Sequence, residues 1–170
     1  MSNLPERKQI RLKGYDYSKP GYYFITICCL NRENYLGQIK CRGGALLHPF
    51  VELSNIGEIA AEQWHELKER YKNLILDQFV VMPNHIHGII SIANERAEQS
   101  PAPTKTVGDI ICTYKSITTK LSNKVDNSQG RVIWQRNYYE HIIRDEPELK
   151  KIREYIMTNP EKWQDDKYYI

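Results

Sequence analysis

Leu74 to Ile92 reads LILDQFVVMPNHIHGIISI. Two apolar, β-branched runs flank Pro83-Asn84, a dipeptide that favours a turn. The pattern predicts a strand over 74–82, a reversal, and a second strand over 85–92 antiparallel to the first. Alternate side chains of a strand share a face, so His85 and His87 point one way while Ile86 and Ile90 point the other way, into a core. At about 3.3 Å per residue the two histidine Cα atoms stand roughly 7 Å apart, which lets both imidazoles converge on one metal ion or one phosphate. Gly88 is expected to leave room for a ligand to approach the backbone.

The neighbouring segments complete an α+β pattern. Gly21–Leu30 (GYYFITICCL) is rich in aromatic and β-branched residues and is predicted to be a buried strand. Residues 35–47 suggest a hairpin turning at Gly43-Gly44. A helix is expected over 55–71, with Ile56, Ile59, Ala60, Trp64 and Leu67 on one face and Ser54 or Asn55 as its cap. Residues 93–106, with Pro101 and Pro103, read as a flexible loop. A helix over 107–124, a turn at 127–130, a strand within 132–143 and a helix over 147–159 follow. This order predicts a central antiparallel sheet with helices packed on it.

The chain of 170 residues fits a single domain over 1–170, large enough to bury a core without staples, with residues 1–20 as a basic leader. Hydrophobic residues make up 41% and charged residues 26%, which speaks against a disordered chain. No apolar run reaches the ~18 residues of a membrane-spanning helix, and Met1–Lys13 lacks a signal-peptide core. Cys28, Cys29, Cys41 and Cys112 form no zinc-type spacing, so reduced thiols and a cytoplasmic location are expected. A net charge of +3 is too small to announce a nucleic-acid binder. Residues 1–20 and 105–124 are nonetheless locally basic, and each reads equally as a phosphate-contacting segment or as solvated surface. The 12 tyrosines against 3 phenylalanines are an oddity, because a buried phenol needs a hydrogen-bond partner.

A His-x-His alone leaves several chemistries open. A histidine-triad hydrolase would carry a third alternating histidine where Ile89 stands. A metallo-β-lactamase-like site would carry Asp and His where Gly88, Ile89 and Ile90 stand. A cupin would carry Glu near Ser91 and Ile92. Any further ligand must therefore come from elsewhere in the chain. In the last helix, Asp145, Glu148 and Pro147 form a capping-box-like start. Leu149, Ile152 and Ile156 form an apolar stripe with Tyr155 on its shoulder. Asn159 follows one turn after Tyr155, and Pro160 is expected to end the helix there. Read alone, Tyr155 suits half-buried packing and Asn159 a helix stop.

Three blocks taken together carry more: VVMPNHIHGIISI (Val80–Ile92), IWQRNYYEHIIRDE (Ile133–Glu146) and YIMTNP (Tyr155–Pro160). With the opening GYYFITICCLNRENYLGQI (Gly21–Ile39), they resemble the single-tyrosine HUH transposases, the small insertion-sequence transposases and REP-associated tyrosine transposases. The resemblance covers about residues 11–163. It implies a sheet architecture akin to the RNA-recognition motif, that is, an RRM-like or ferredoxin-like HUH endonuclease fold. It implies His85, His87 and Asn159 as ligands of a divalent metal, Mg²⁺ or Mn²⁺, although imidazole also suits zinc. It implies Tyr155 as a covalent nucleophile that leaves a 5′-phosphotyrosine link to DNA.

The substrate implied is single-stranded DNA carrying a hairpin, and the protein is expected to be a monomer or a homodimer. Basic residues interleaved with aromatics suit such a strand. Candidates are Arg11, Lys13, Tyr15, Tyr17, Lys115, Lys120, Arg136, Tyr138, Tyr139 and Arg144, held as a group. His141 is expected to be structural or a DNA contact and not a ligand. With ten residues after Pro160, no long C-terminal tail is expected to contribute. An inactive DNA-binding relative and an HxH zinc hydrolase are the alternatives.

Overall fold

In chain order the elements are β1 (Gly21–Cys28), β2 (Gly37–Arg42), β3 (His48–Leu53), α1 (Asn55–His65), α2 (Leu67–Arg70), β4 (Leu74–Met82), β5 (His85–Ile92), α3 (Val107–Val125), β6 (Tyr139–Ile143) and α4 (Glu146–Thr158). They come from a computed structural model that describes residues 14–42, 48–93 and 105–169. The expected turn at Gly43-Gly44, most of the 93–106 loop and most of the basic leader lie outside the described residues.

Four strands form an antiparallel sheet in the order β4-β5-β1-β6. The chain visits it as two interlocked βαβ units, β1-α1-β4 and β5-α3-β6, which is the ferredoxin-like arrangement also found in the RNA-recognition motif. β2 and β3 pair separately as the expected hairpin. Alternation on the two central strands sorts the core into two layers. Tyr23, Ile25 and Ile27 of β1 and Ile86 and Ile90 of β5 face α1 and α3, where they meet Ile56, Trp64, Val107, Ile110 and Tyr114. Phe24 of β1 and Ile89 of β5 face α4 and pack on Leu149, Ile152 and Ile156. Every residue of β5 is buried.

Local chemistry explains most boundaries. The Ser54 hydroxyl accepts from the Gly57 amide and starts α1, while Thr106 and Asp109 close a reciprocal capping box at α3. The helix expected over 55–71 is divided at Glu66, whose amide donates to Glu62 O and Trp64 O, into α1 and α2. The strand expected within 132–143 is confined to its last five residues. Upstream of it, Trp134 makes an isolated bridge to Cys29, and the Lys115 ammonium binds the carbonyls of Gln135, Arg136 and Asn137. Pro160 does not stop the chain from turning. Asn159 keeps α-helical angles of φ −59° and ψ −41°, and 3-10 turns continue over Asn159–Asp165. A proline in a first turn lacks only an N–H that would have no partner there.

Gly88 serves a different purpose from the one expected. Its Cα faces the helix layer, where an added Cβ would stand 2.2 Å from Trp64 Cζ2. The glycine makes room for an indole that stacks on Phe79 at 4.7 Å, so this face of the strand is filled by Trp64.

α4 is tied to the sheet by more than apolar contact. β4 carries one extra residue between Leu76 and Phe79. This bulge directs Asp77 toward α4, where Arg153 grips it with Nε–Oδ1 at 3.0 Å and Nη2–Oδ2 at 2.6 Å. The guanidinium fork holds the Asp77 carboxyl below its usual range. A depressed carboxyl stabilises the fold above the unfolded value near pH ~4 and stops doing so as pH falls through the folded value. Asp77→Asn is therefore expected to cost about 1 kcal/mol at neutral pH and much less at pH 3, read by urea unfolding at both pH values. Gly88→Ala is expected to cost about 2 kcal/mol through overpacking, with Trp64→Phe restoring part of it.

Candidate active site

β5 presents His85 and His87 on the α4 side of the sheet, with Nε2 atoms 3.0 Å apart and neither ring exposed to solvent. Each outer nitrogen is held. His87 Nδ1 lies 2.8 Å from Thr26 Oγ1 on the neighbouring strand, directly opposite in register. His85 Nδ1 lies 2.8 Å from Asn84 Oδ1. The Asn84 amide group in turn donates to the carbonyls of Arg32 and Tyr168, so its oxygen is left as an acceptor. His85 Nδ1 accordingly carries the hydrogen, and Nε2 turns a lone pair into the site.

Burial dominates the electrostatics. It pushes His85 down to about 4, with Lys167 and Arg32 acting in the same direction and Asp166 against it. Burial, then His85 and Lys167, holds His87 well below the usual histidine range. Both rings are neutral at pH 7, the form that can donate a lone pair to a cation.

α4 brings Tyr155 across from the pair. Its side chain is partly open to solvent, and its hydroxyl stands 3.1 Å from His87 Nε2 while donating to Asp166 Oδ2 at 3.3 Å. Burial and the Asp166 charge raise the phenol's pKa, and the Asn159 amide works against them. Asn159 is buried. Its amide group donates to Asp166 Oδ2 at 2.9 Å, and its Oδ1 has no hydrogen-bond partner among the described residues. Asp166 completes the cluster: one carboxylate oxygen and a nitrogen of each histidine lie within 4.8 Å of one another. Rings wall the site, with Tyr168 4.5 Å and Trp163 5.9 Å from His85, and Phe24 5.3 Å from His87.

A divalent cation fits this donor set. Two neutral imidazoles and a carboxylate converge, the amide of Asn159 beside that carboxylate has an oxygen without a partner among the described residues, and the outer nitrogens of the imidazoles are fixed by hydrogen bonds as in held metal ligands.

The sequence-derived candidates divide sharply. His85, His87, Tyr155 and Asn159 are brought together. Arg11 and Lys13 lie outside the described residues. Tyr15 and Tyr17 pack into the core on the opposite side of the sheet, the former 3.5 Å from the Tyr23 hydroxyl. Tyr138 also turns to that side and donates to Glu140 at 2.7 Å. Lys115 is spent on three carbonyls, and Lys120 is exposed on α3, the helix behind the sheet. Arg136, Tyr139 and Arg144 are exposed around β6. His141 binds Glu148 at 2.8 Å and is not part of the cluster.

Sequence reading missed Asp166, Asn84 and Thr26. Thirteen residues contain Asn84 and both histidines in the quoted motif, so adjacency pointed to Asn84. Thr26 follows from strand register alone. No spacing rule reaches Asp166, which arrives through the 3-10 turns after Pro160.

The chain belongs to a known family: residues 21–159 match the family described as "Transposase IS200 like". The matched span holds His85, His87, Tyr155 and Asn159 and ends before Asp166. A Haemophilus influenzae protein described as uncharacterized is 37% identical over 182 residues, covering 99% of this chain and 96% of its own. Among solved structures, that of a REP-associated tyrosine transposase bound to a REP hairpin is similar, with a TM-score of 0.55 at 18% identity, covering 90% of this chain and 74% of that one. At that identity the likeness concerns the fold.

The buried neutral histidines set an acid limit. The unfolded chain binds their protons near pH ~6.5, whereas the folded His85 does so only near about 4. Without metal, stability is full above pH ~6.5 and falls as pH drops toward about 4, because the unfolded state takes up protons first. Melting in EDTA from pH 8 to pH 4.5 is expected to follow this curve, and His87→Gln to flatten it. Thr26→Val, which removes the hydroxyl at His87 Nδ1, is expected to weaken Mn²⁺ binding by about 10- to 100-fold in calorimetry.

Proposed function

We propose that the protein is a transposase that cuts and rejoins single-stranded DNA in the cytoplasm, with Tyr155 as nucleophile and a divalent metal held by His85, His87, Asp166 and Asn159. The observation that carries this reading is the Tyr155 hydroxyl 3.1 Å from His87 Nε2, on a helix that faces a buried histidine pair. Family membership supports it.

A metal held there, Mg²⁺ or Mn²⁺, would polarise the scissile phosphate and offset the charge that grows on its non-bridging oxygens. The chain's own residues perform the rest. Thr26 and Asn84 fix the ring orientations, and the apolar stripe of α4 sets the height of Tyr155 above the sheet. The phenol oxygen attacks phosphorus in line, the P–O3′ bond breaks, and the 5′ phosphate stays on Tyr155. The Tyr155 hydroxyl donates to Asp166 Oδ2 at 3.3 Å, and a carboxylate keeps lone pairs beyond one bond to a metal, so Asp166 can take the phenol proton. The departing 3′ oxygen takes up a proton from solvent water, leaving a 3′ hydroxyl. A 3′ hydroxyl can later reverse the attack and join new DNA, since the phosphodiester energy is kept in the tyrosyl bond.

DNA with a hairpin beside the cut is the proposed substrate. The structural relative was solved with a REP hairpin, and the exposed basic residues Arg136 and Arg144 suit a phosphate backbone. Incubation with end-labelled single-stranded hairpin DNA and Mn²⁺ is expected to yield a covalent protein–DNA adduct on a denaturing gel. Tyr155→Phe should abolish the adduct, and His85→Ala and His87→Ala should lower it at least 100-fold. Cleavage that persists in Tyr155→Phe without an adduct would instead mark a hydrolase, and binding without cleavage a DNA-binding module.

A further inference from the structure

α4 buries Phe24 of β1 and Ile143 of β6, while the start of β6 stays open to solvent. Tyr139 stands there. It is 40% exposed, directly opposite Thr26 in register, on the same side as the histidines. Its ring meets Phe24 edge-on at 6.3 Å, and Phe24 in turn touches the His87 ring at 5.3 Å and the Tyr155 ring at 6.2 Å. A continuous aromatic path therefore runs from the nucleophile to an exposed phenol. The Lys167 ammonium lies 5.4 Å from the Tyr139 ring centre, so the electron-rich face of the ring has a cation against it. Arg136, three residues upstream, is exposed as well.

We infer that Tyr139 is the stacking platform for an unpaired base of the strand that Tyr155 attacks, with Lys167 and Arg136 meeting the flanking phosphates. This rests on the reading of Tyr155 as a DNA nucleophile and adds what holds the strand beside it. Three features favour a base over a protein partner. The ring is backed edge-on by Phe24, which fixes its plane. A cation, the Lys167 ammonium, lies against its face. The neighbouring tyrosine, Tyr138, is turned to the other side of the sheet and bound to Glu140, so a single ring and not an apolar patch is on offer. Stacking needs only a π-face, so the platform accepts any base and gives reach without sequence preference.

The test uses the full-length chain and a dT oligonucleotide with one 2-aminopurine. Loss of one stacked base costs about 1–3 kcal/mol, which is about 5- to 150-fold in affinity. Tyr139→Leu is expected to weaken binding by that factor and to lose the 2-aminopurine quenching, while Tyr139→Phe stays within about twofold of the parent. Melting curves of both variants check that the fold is retained. A perfect duplex of the same sequence offers no unpaired base, and its binding should not distinguish the variants. Equal affinity and equal quenching in Tyr139→Leu overturn the platform, as does no quenching by the parent protein. The adduct assay on hairpin DNA is read separately. If the parent forms no adduct, the transposase reading fails, while the quenching result still decides whether Tyr139 stacks.

Discussion

The structure depends on one strand that has no free side. β5 runs through the middle of the sheet with every residue buried, and its alternation assigns each one to a layer. Ile86, Gly88 and Ile90 belong to the layer under α1 and α3, where Gly88 is fitted to the Trp64 indole. His85, His87 and Ile89 belong to the layer under α4. A slip of one residue would put imidazoles against tryptophan and isoleucines against Tyr155, so the helix layer fixes the histidines although it never touches them. The polar layer is affordable because the opposite layer is large and dry.

Keeping two imidazoles dry has a cost, which the site offsets with ordered partners. Buried polar groups are tolerated when each finds a bond. Thr26, Asn84 and Tyr155 supply those bonds at 2.8, 2.8 and 3.1 Å. The Asn84 amide group links the β4–β5 turn to the carbonyls of Arg32 and Tyr168, so three distant pieces of chain meet at one side chain. Asn159 Oδ1 is the exception, buried without a partner among the described residues. The other end of the same amide is fixed by its donation to Asp166 Oδ2 at 2.9 Å.

Much of this was legible in the sequence, and the reason differs by element. The histidine pair could be read because period-two alternation is a property of the strand itself. The stripe Leu149, Ile152 and Ile156 could be read because it is a property of the helix; the shoulder position of Tyr155 alone suited packing, and its role came only with the resemblance carried by the YIMTNP block. The central antiparallel sheet followed from the order of the elements and the turn at Pro83-Asn84, while the separation of the β2–β3 hairpin from it did not. Asp166 could not be read, because it reaches the site through turns that Pro160 was expected to forbid. Gly88 was misread because its neighbour Trp64 is 24 positions away in the chain, on a helix whose docking no local rule fixes. The tyrosine excess sorts the same way: Tyr23 and Tyr114 are fully buried with their hydroxyls on the Lys19 and Ala60 carbonyls, and only position sets Tyr155 and Tyr139 apart.

The extra residue in β4 gives that strand two parities. Leu74 and Leu76 before the bulge and Phe79 and Val81 after it all face the helix layer, although even numbers do so on one side and odd numbers on the other. A strand read by strict alternation would send one pair or the other to the wrong layer. Removing Gln78 would leave a strand of plain alternation with both pairs still facing the helix layer, so the extra residue sets the numbering parity and the local path of the backbone, not the layer to which each half belongs. The segment behaves as two short strands joined by a phase switch, and the switch is the point from which Asp77 reaches α4.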